Sequence, residues 1–213
     1  MDLSTPPEPE AAPPVRRPWF KREPLDVGGL LVETLAVLVG VLLALGIDSW
    51  RKERDDAKTV QVAMEAIGDE LETNAAAARR HATRVTQAAS AMAARNRQDD
   101  AGRACTAYAG WGGAEVPMFT QTAYEVAVAT QALAKMPFTQ ANVIGRAYGA
   151  QRHVQMMHDK ATDILLDPAP KPLATCIGIY REMAQASAGI GKLDSDVAAS
   201  LGKRRTQPEM DAP

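Results

Sequence analysis

The residues best suited to chemistry lie together in Tyr148 to Asp163, YGAQRHVQMMHDKATD, which gathers His153, Met156, Met157, His158, Asp159 and Asp163. Thioether with imidazole would suit copper in an oxidising compartment, and imidazole with carboxylate would suit zinc. The spacing argues against both. His153 and His158 stand at i and i+5 and so do not share a helix face as an i, i+4 pair does, and neither a cysteine nor a second cluster completes four ligands. The segment reads as a solvated face with some methionine packing, and no metal or cofactor is assigned to it. Elsewhere the chain shows no phosphate-cradling glycine loop, nucleophile elbow, zinc spacing or haem-attachment motif, and its serines, lysines and acids occupy no geometry-defining turn. The expectation is a protein that is not an enzyme.

The elements that hold these residues are helical. Hydrophobic residues make up 46% of the 213, yet much of that is alanine and aromatics are only 5%, a balance that favours close-packed helices over a sheet. A net charge of -2, without a basic stripe, gives no reason to expect nucleic acid as a partner. Residues 1–26 are rich in proline and read as a disordered tail whose basic end, Arg16, Arg17, Lys21 and Arg22 with Trp19 and Phe20, suits a membrane headgroup region. Residues 27–50, VGGLLVETLAVLVGVLLALGIDSW, form the one stretch apolar and long enough to cross a bilayer. Within it Glu33 can reach an interface by snorkelling. Ala36, Gly40 and Ala44 recur every four residues and give one face small enough for a second helix to approach closely. A cleaved signal peptide is the competing reading, because Ala44 and Gly46 offer small residues at a cleavage-like spacing; finding Ile47 as the mature N-terminus would support it.

From Arg51 to Arg97 the apolar positions alternate four and three apart: Val60, Met64, Ile67, Leu71, Asn74, Ala78, His81, Val85, Ala88 and Met92. That is the seam of a helix packed lengthwise on other helices, and with no proline between Pro24 and Pro117 the helix can run from near Val27 to about Gln98. Asn74 and His81 sit in the seam as polar residues that set register. Glycines end this helix in a loop, Gln98 to Pro117, which carries Cys105 and Trp111. Trp111 is a candidate for partner contact, with packing on the end of the helices as its plainer role. A second helix is predicted over Phe119 to Met136, a third from a Thr139 cap to Leu166, and a fourth over Leu173 to Leu201, ending at Gly202. In the third, Ile144, Tyr148, Gln151, Val154, Met157 and Ile164 follow near-helical spacing.

The expected architecture is all-α: a single N-terminal transmembrane helix continuing into the long helix of an antiparallel bundle of about four helices. The helical domain covers 51–203, and 204–213 form a disordered tail. Short connections put Cys105 and Cys176 at the same distal end, which makes them a disulfide candidate and points to an oxidising compartment. Basic residues tie across the apolar span, so the cysteines decide orientation: tail cytoplasmic, helical domain periplasmic, span in the cell inner membrane.

ETLAVLVGVLLALGIDSWRKER, with Glu33, Gly40, Trp50 and Arg51 to Arg54, resembles the opening of a family of uncharacterised bacterial single-pass membrane proteins. TAYEVAVATQALAKMPFTQANVIGRAYGAQRHV, with Tyr124 and the Tyr148 to Gln151 pair, resembles their central helices. The resemblance implies an anchor followed by helices, and it transfers no activity and no catalytic residue. The functional expectation is a membrane-anchored helical interaction or scaffold protein, associating with itself as a homo-oligomer or with an unknown protein partner of the membrane or envelope. The alternative is an extracytoplasmic ligand-binding sensory module that works through a separate output partner.

Overall fold

A computed structural model of the chain describes residues 27–95 and 102–205; the expected tail over 1–26 and the residues after 205 lie outside them. The described residues are helical and contain no strand: α1 Val27–Arg95, α2 Thr122–Ala129, α3 Ala132–Lys135, α4 Phe138–Leu166 and α5 Leu173–Arg205, with a 3-10 turn at Cys105–Ala107. The chain divides between Trp50 and Arg51 into two compact units.

In the first unit every side chain from Leu31 to Trp50 is exposed. Leu31, Val32, Leu35, Val37, Leu42, Leu43 and Leu45 each keep more than half of their surface uncovered, on a helix long and apolar enough to cross a membrane. A face of this kind is disfavoured in water and favoured in hydrocarbon.

In the second unit the four-and-three spacing of α1 is spent on packing inside the chain. Ile67, Leu71, Asn74, Ala78, His81, Val85 and Met92 are all buried. Around Ile67 and Leu71 gather Ile144, Ala147 and Tyr148 of α4 and Val197, Ala198 and Leu201 of α5. Farther along, Ala78 meets Val154 and Ile190, and Val85, Ala89 and Met92 meet Leu165, Leu173, Tyr180 and Met183. Positions rising along α1 therefore meet rising positions of α4 and falling positions of α5, so α4 lies parallel to α1 and α5 antiparallel to both. Burying a side chain such as Ile67 or Leu71 completely contributes about 2 kcal/mol, which makes this shared stripe the main cohesive element.

Several boundaries differ from the sequence expectation. The helix predicted over Phe119 to Met136 is two short helices, because Gln131 takes a left-handed φ of 59° and Thr130 turns its hydroxyl back onto the Val126 carbonyl at 2.8 Å. With β-branched Val126, Val128 and Thr130 closely spaced, helix propensity is weak there and local bonding wins. Among the described residues five helices stand where about four were expected. Thr139 does not cap α4, whose N-cap is Pro137 without a side-chain bond. In the same helix Met157 and Ile164 are exposed, since the buried stripe takes His158 and Leu165 instead. Finally, α5 does not stop at Gly202; it continues to Arg205.

Candidate functional site

Three helices with a common heptad spacing can place polar residues in layers, and two such layers lie inside this core. The first joins Asn74 of α1, Gln151 of α4 and Asp194 of α5; the second joins His81, His158 and Ser187 of the same helices. All six side chains are at most 1% exposed. On each helix the two layers stand seven residues apart, about two turns, with the apolar Ala78, Val154 and Ile190 between them. Buried polar groups are tolerated at such depth when their hydrogen bonds are made inside the protein.

In the first layer Asn74 is fully used. Its Nδ2 donates to the Thr120 carbonyl at 2.8 Å and to Gln151 Oε1 at 3.4 Å, while its Oδ1 accepts from the Thr120 backbone N–H at 3.0 Å and the Thr120 hydroxyl at 3.3 Å. Asn74 thus fastens the segment that returns from the distal loop toward α2. Gln151 Nε2 donates to Asp194 Oδ2 at 2.9 Å, but Asp194 Oδ1 is buried without a hydrogen-bond partner. Burial pushes the Asp194 carboxyl up to about 7, opposed by the Gln151 bond. Next to this layer Glu70 takes two donors: the Tyr148 hydroxyl at 2.6 Å and the Ala123 backbone N–H at 3.0 Å. A carboxylate from α1 therefore caps the start of α2, whose own N-cap Gln121 makes no side-chain bond. Burial first, and then the Glu70 hydrogen bond, drive the Tyr148 phenol far above its usual range. Tyr124 stacks on it with ring centroids 4.5 Å apart.

In the second layer Ser187 Oγ lies 2.9 Å from His81 Nδ1 and 3.1 Å from His158 Nε2. The outer ring nitrogens reach backbone carbonyls, His81 Nε2 to Glu115 at 2.7 Å and His158 Nδ1 to Val154 at 2.7 Å. The two imidazoles meet edge to face at 5.0 Å. Burial is the main cause that holds His81 below the ordinary histidine range, with the Glu115 carbonyl opposing it.

The distal end is closed covalently. Cys105 and Cys176 form a disulfide, both sulfurs buried, that joins the 3-10 turn to the first turn of α5. Tyr108 donates its hydroxyl to the Lys171 carbonyl at 2.6 Å, and the Lys171 N–H donates to the Arg103 carbonyl at 2.9 Å. Gly110 is required there: its φ is +92°, and a Cβ would stand 2.6 Å from the Met92 backbone nitrogen.

The residues singled out from sequence are thus distributed unevenly. Cys105 and Cys176 are brought together. Ala36, Gly40 and Ala44 are all exposed, and the space around Gly40 is open. Trp111 is half-buried and meets Tyr180 edge to face at 5.6 Å, packed against the distal core cluster. Trp111→Ala should therefore cost about 2 kcal/mol in chemical denaturation with helix content retained, the aromatic contact and part of its burial being lost; a cost below about 0.5 kcal/mol would leave the ring's role to a partner. The histidine and methionine segment is pulled apart, since His153, Met156, Asp159 and Asp163 face outward while His158 enters the core. Ser187 and Asp194 were missed. The signal was present, because Met183, Ile190 and Val197 leave gaps that these two residues fill at spacings of four and three.

The site and fold define an all-helical protein with one helix suited to a membrane, a helical unit closed by a disulfide and a core crossed by two polar layers. Compared with protein-family models, curated proteins and solved structures, the chain matches none.

Proposed function

We propose that the chain is a membrane-anchored helical interaction protein: a single span in a bacterial inner membrane, a cytoplasmic N-terminus, and a periplasmic helical domain that presents a rigid surface to a second copy or to an envelope partner. The observation that carries the proposal is the uncovered apolar surface of Leu31 to Ile47, which calls for a hydrocarbon surrounding. The disulfide supports the orientation, since such bonds persist in oxidising compartments. Because Leu71 and most of the α1 seam are buried within the chain, with Val60, Met64 and Ala88 half-buried, association falls to the exposed Ala36, Gly40 and Ala44 face and to outer helix surfaces. A bundle closed on itself, with α1, α4 and α5 as its long members, suits a scaffold.

The test is direct. The protein should stay in the membrane pellet through alkaline carbonate, its helical domain should be degraded by protease only from the periplasmic side, and a crosslinked dimer should be captured that Gly40→Ile abolishes. Recovery in the soluble fraction would overturn the anchor, and a monomer in membranes that no crosslinker extends would overturn self-association.

The sensory alternative has one observation in its favour, an open groove of about 810 Å³ between α1 and α2 lined by Val62, Ala63, Ala66, Ala123, Val126 and Ala127. A ligand bound there would raise the melting temperature by linkage, and the rise would disappear in Ala66→Trp.

A further inference from the structure

The second polar layer has a proton count that its hydrogen bonds do not match. Its ends are fixed, because the Glu115 and Val154 carbonyls can only accept; His81 must carry hydrogen on Nε2 and His158 on Nδ1. With both rings neutral, His81 Nδ1 and His158 Nε2 are then bare acceptors, and both face the same Ser187 oxygen. One hydroxyl hydrogen cannot serve two acceptors. Three protons are available for four contacts, and one pair of lone pairs is left face to face at a depth where an unmade hydrogen bond is expensive.

One more proton completes the chain. Placed on His158 Nε2, it is donated to Ser187 Oγ, and the Ser187 hydroxyl is donated in turn to His81 Nδ1. Each nitrogen and oxygen of the layer then has a partner of the right kind. A second added proton is opposed by like charge, since two buried imidazolium rings would then stand 5.0 Å apart and the Ser187 hydroxyl hydrogen would be turned out of the layer. We propose that His81, Ser187 and His158 form a buried proton-binding relay that takes up one proton and no more, so that the α1–α4–α5 core has a protonated and an unprotonated state.

Burial lowers His81, which agrees with His81 Nδ1 staying unprotonated. The charges that bear on the relay are few. Arg84 of α1 opposes protonation of His81, and Glu115 of the returning segment favours it, although these two side chains are ion-paired with each other. Lys160 of α4 and Glu182 of α5 line the surface groove against which His158 lies. Asp194 of α5 stands one polar layer away. A relay of this kind would let the helical domain respond to external pH in the range where histidines titrate.

The experiment is a titration of the full chain in detergent micelles with isotope-labelled histidine, following the imidazole nitrogen shifts from pH about 8 to about 5. The exposed His153 serves as an internal reference. The expected result is a single imidazolium within the buried pair, with His81 Nδ1 remaining unprotonated. In Ser187→Ala the midpoint should fall by at least about one pH unit, a tenfold loss of proton affinity, and Ser187→Thr, which keeps the hydroxyl, should restore it. Two neutral rings down to the lower limit would overturn the relay, as would two imidazoliums forming together or an unchanged midpoint in Ser187→Ala. If the alanine variant does not fold, the proton count in the unaltered protein decides the matter by itself.

Discussion

Replacing both cysteines, as Cys105→Ala with Cys176→Ala, is expected to lower the unfolding free energy of the helical unit by about 4 kcal/mol, the amount by which a long closed loop restricts the unfolded chain. The bond joins positions 71 residues apart, and the loop it closes contains α2, α3 and α4. Reduction would free this whole stretch in the unfolded state. In the folded state it would also release the 3-10 turn from α5, weakening the Tyr108 to Lys171 bond and the packing of Leu173 and Tyr180. Because Ile67, Leu71, Ile144, Tyr148 and Leu201 form a separate cluster that does not include the cysteines, native helix content should survive. The measurement is a denaturant midpoint for the double variant against the unaltered chain, with a larger m-value because the freed unfolded chain exposes more surface. Intact mass should rise by about 2 Da on reduction of the unaltered protein only. A stability loss below about 1 kcal/mol would mean that loop closure does not constrain this chain.

The parts of the fold that were legible in the sequence are those with a long period. The α1 seam is a pattern of many turns, and Ile67, Leu71, Asn74, Ala78, His81, Val85 and Met92 fall where the four-and-three spacing puts them. Pro137 and the DPAPKP stretch mark the start of α4 and the gap before α5 by simple removal of backbone donors. Shorter-range choices were not legible. The break at Gln131 has neither glycine nor proline to announce it, and Glu70, the group that caps α2, comes from a helix more than fifty residues earlier. In α4, where apolar residues at 156, 157 and 164 crowd the pattern, the period alone could not choose between Met157 and His158 as the inward residue. The packed partners chose, since Ser187 offers His158 a hydrogen-bond site that a methionine could not use. The same reason hid the polar layers: each is made of three residues from distant segments, and only when α1, α4 and α5 come together does a lone Asn74 or His81 become a member of a set.

Asp194→Asn is expected to leave the protein about 2 kcal/mol less stable at pH 4 and about 2 kcal/mol more stable at pH 8 than the unaltered chain, a change whose sign follows from linkage. Asp194 has its carboxyl raised from 3.8 to about 7, chiefly by burial. Between those two values the native state holds a proton that the unfolded chain has released. Stability therefore falls as pH rises through that window, and the full penalty persists above it, where ionised Asp194 must stay buried with one oxygen unpartnered. A shift of about three units corresponds to about 4 kcal/mol at most. Asparagine abolishes the ionisation and keeps an oxygen for the Gln151 amide, but its own amide hydrogens enter the space by Oδ1, where unmet donors take back part of the gain. Melting curves across the pH range for both proteins provide the check: the difference should change sign between pH 4 and 7 and then stay constant. A variant less stable at pH 8, or a difference independent of pH, would show that Asp194 is not ionised at a cost in the native core. If the gain is found, the acid at this position is held against stability, one polar layer from His81, Ser187 and His158.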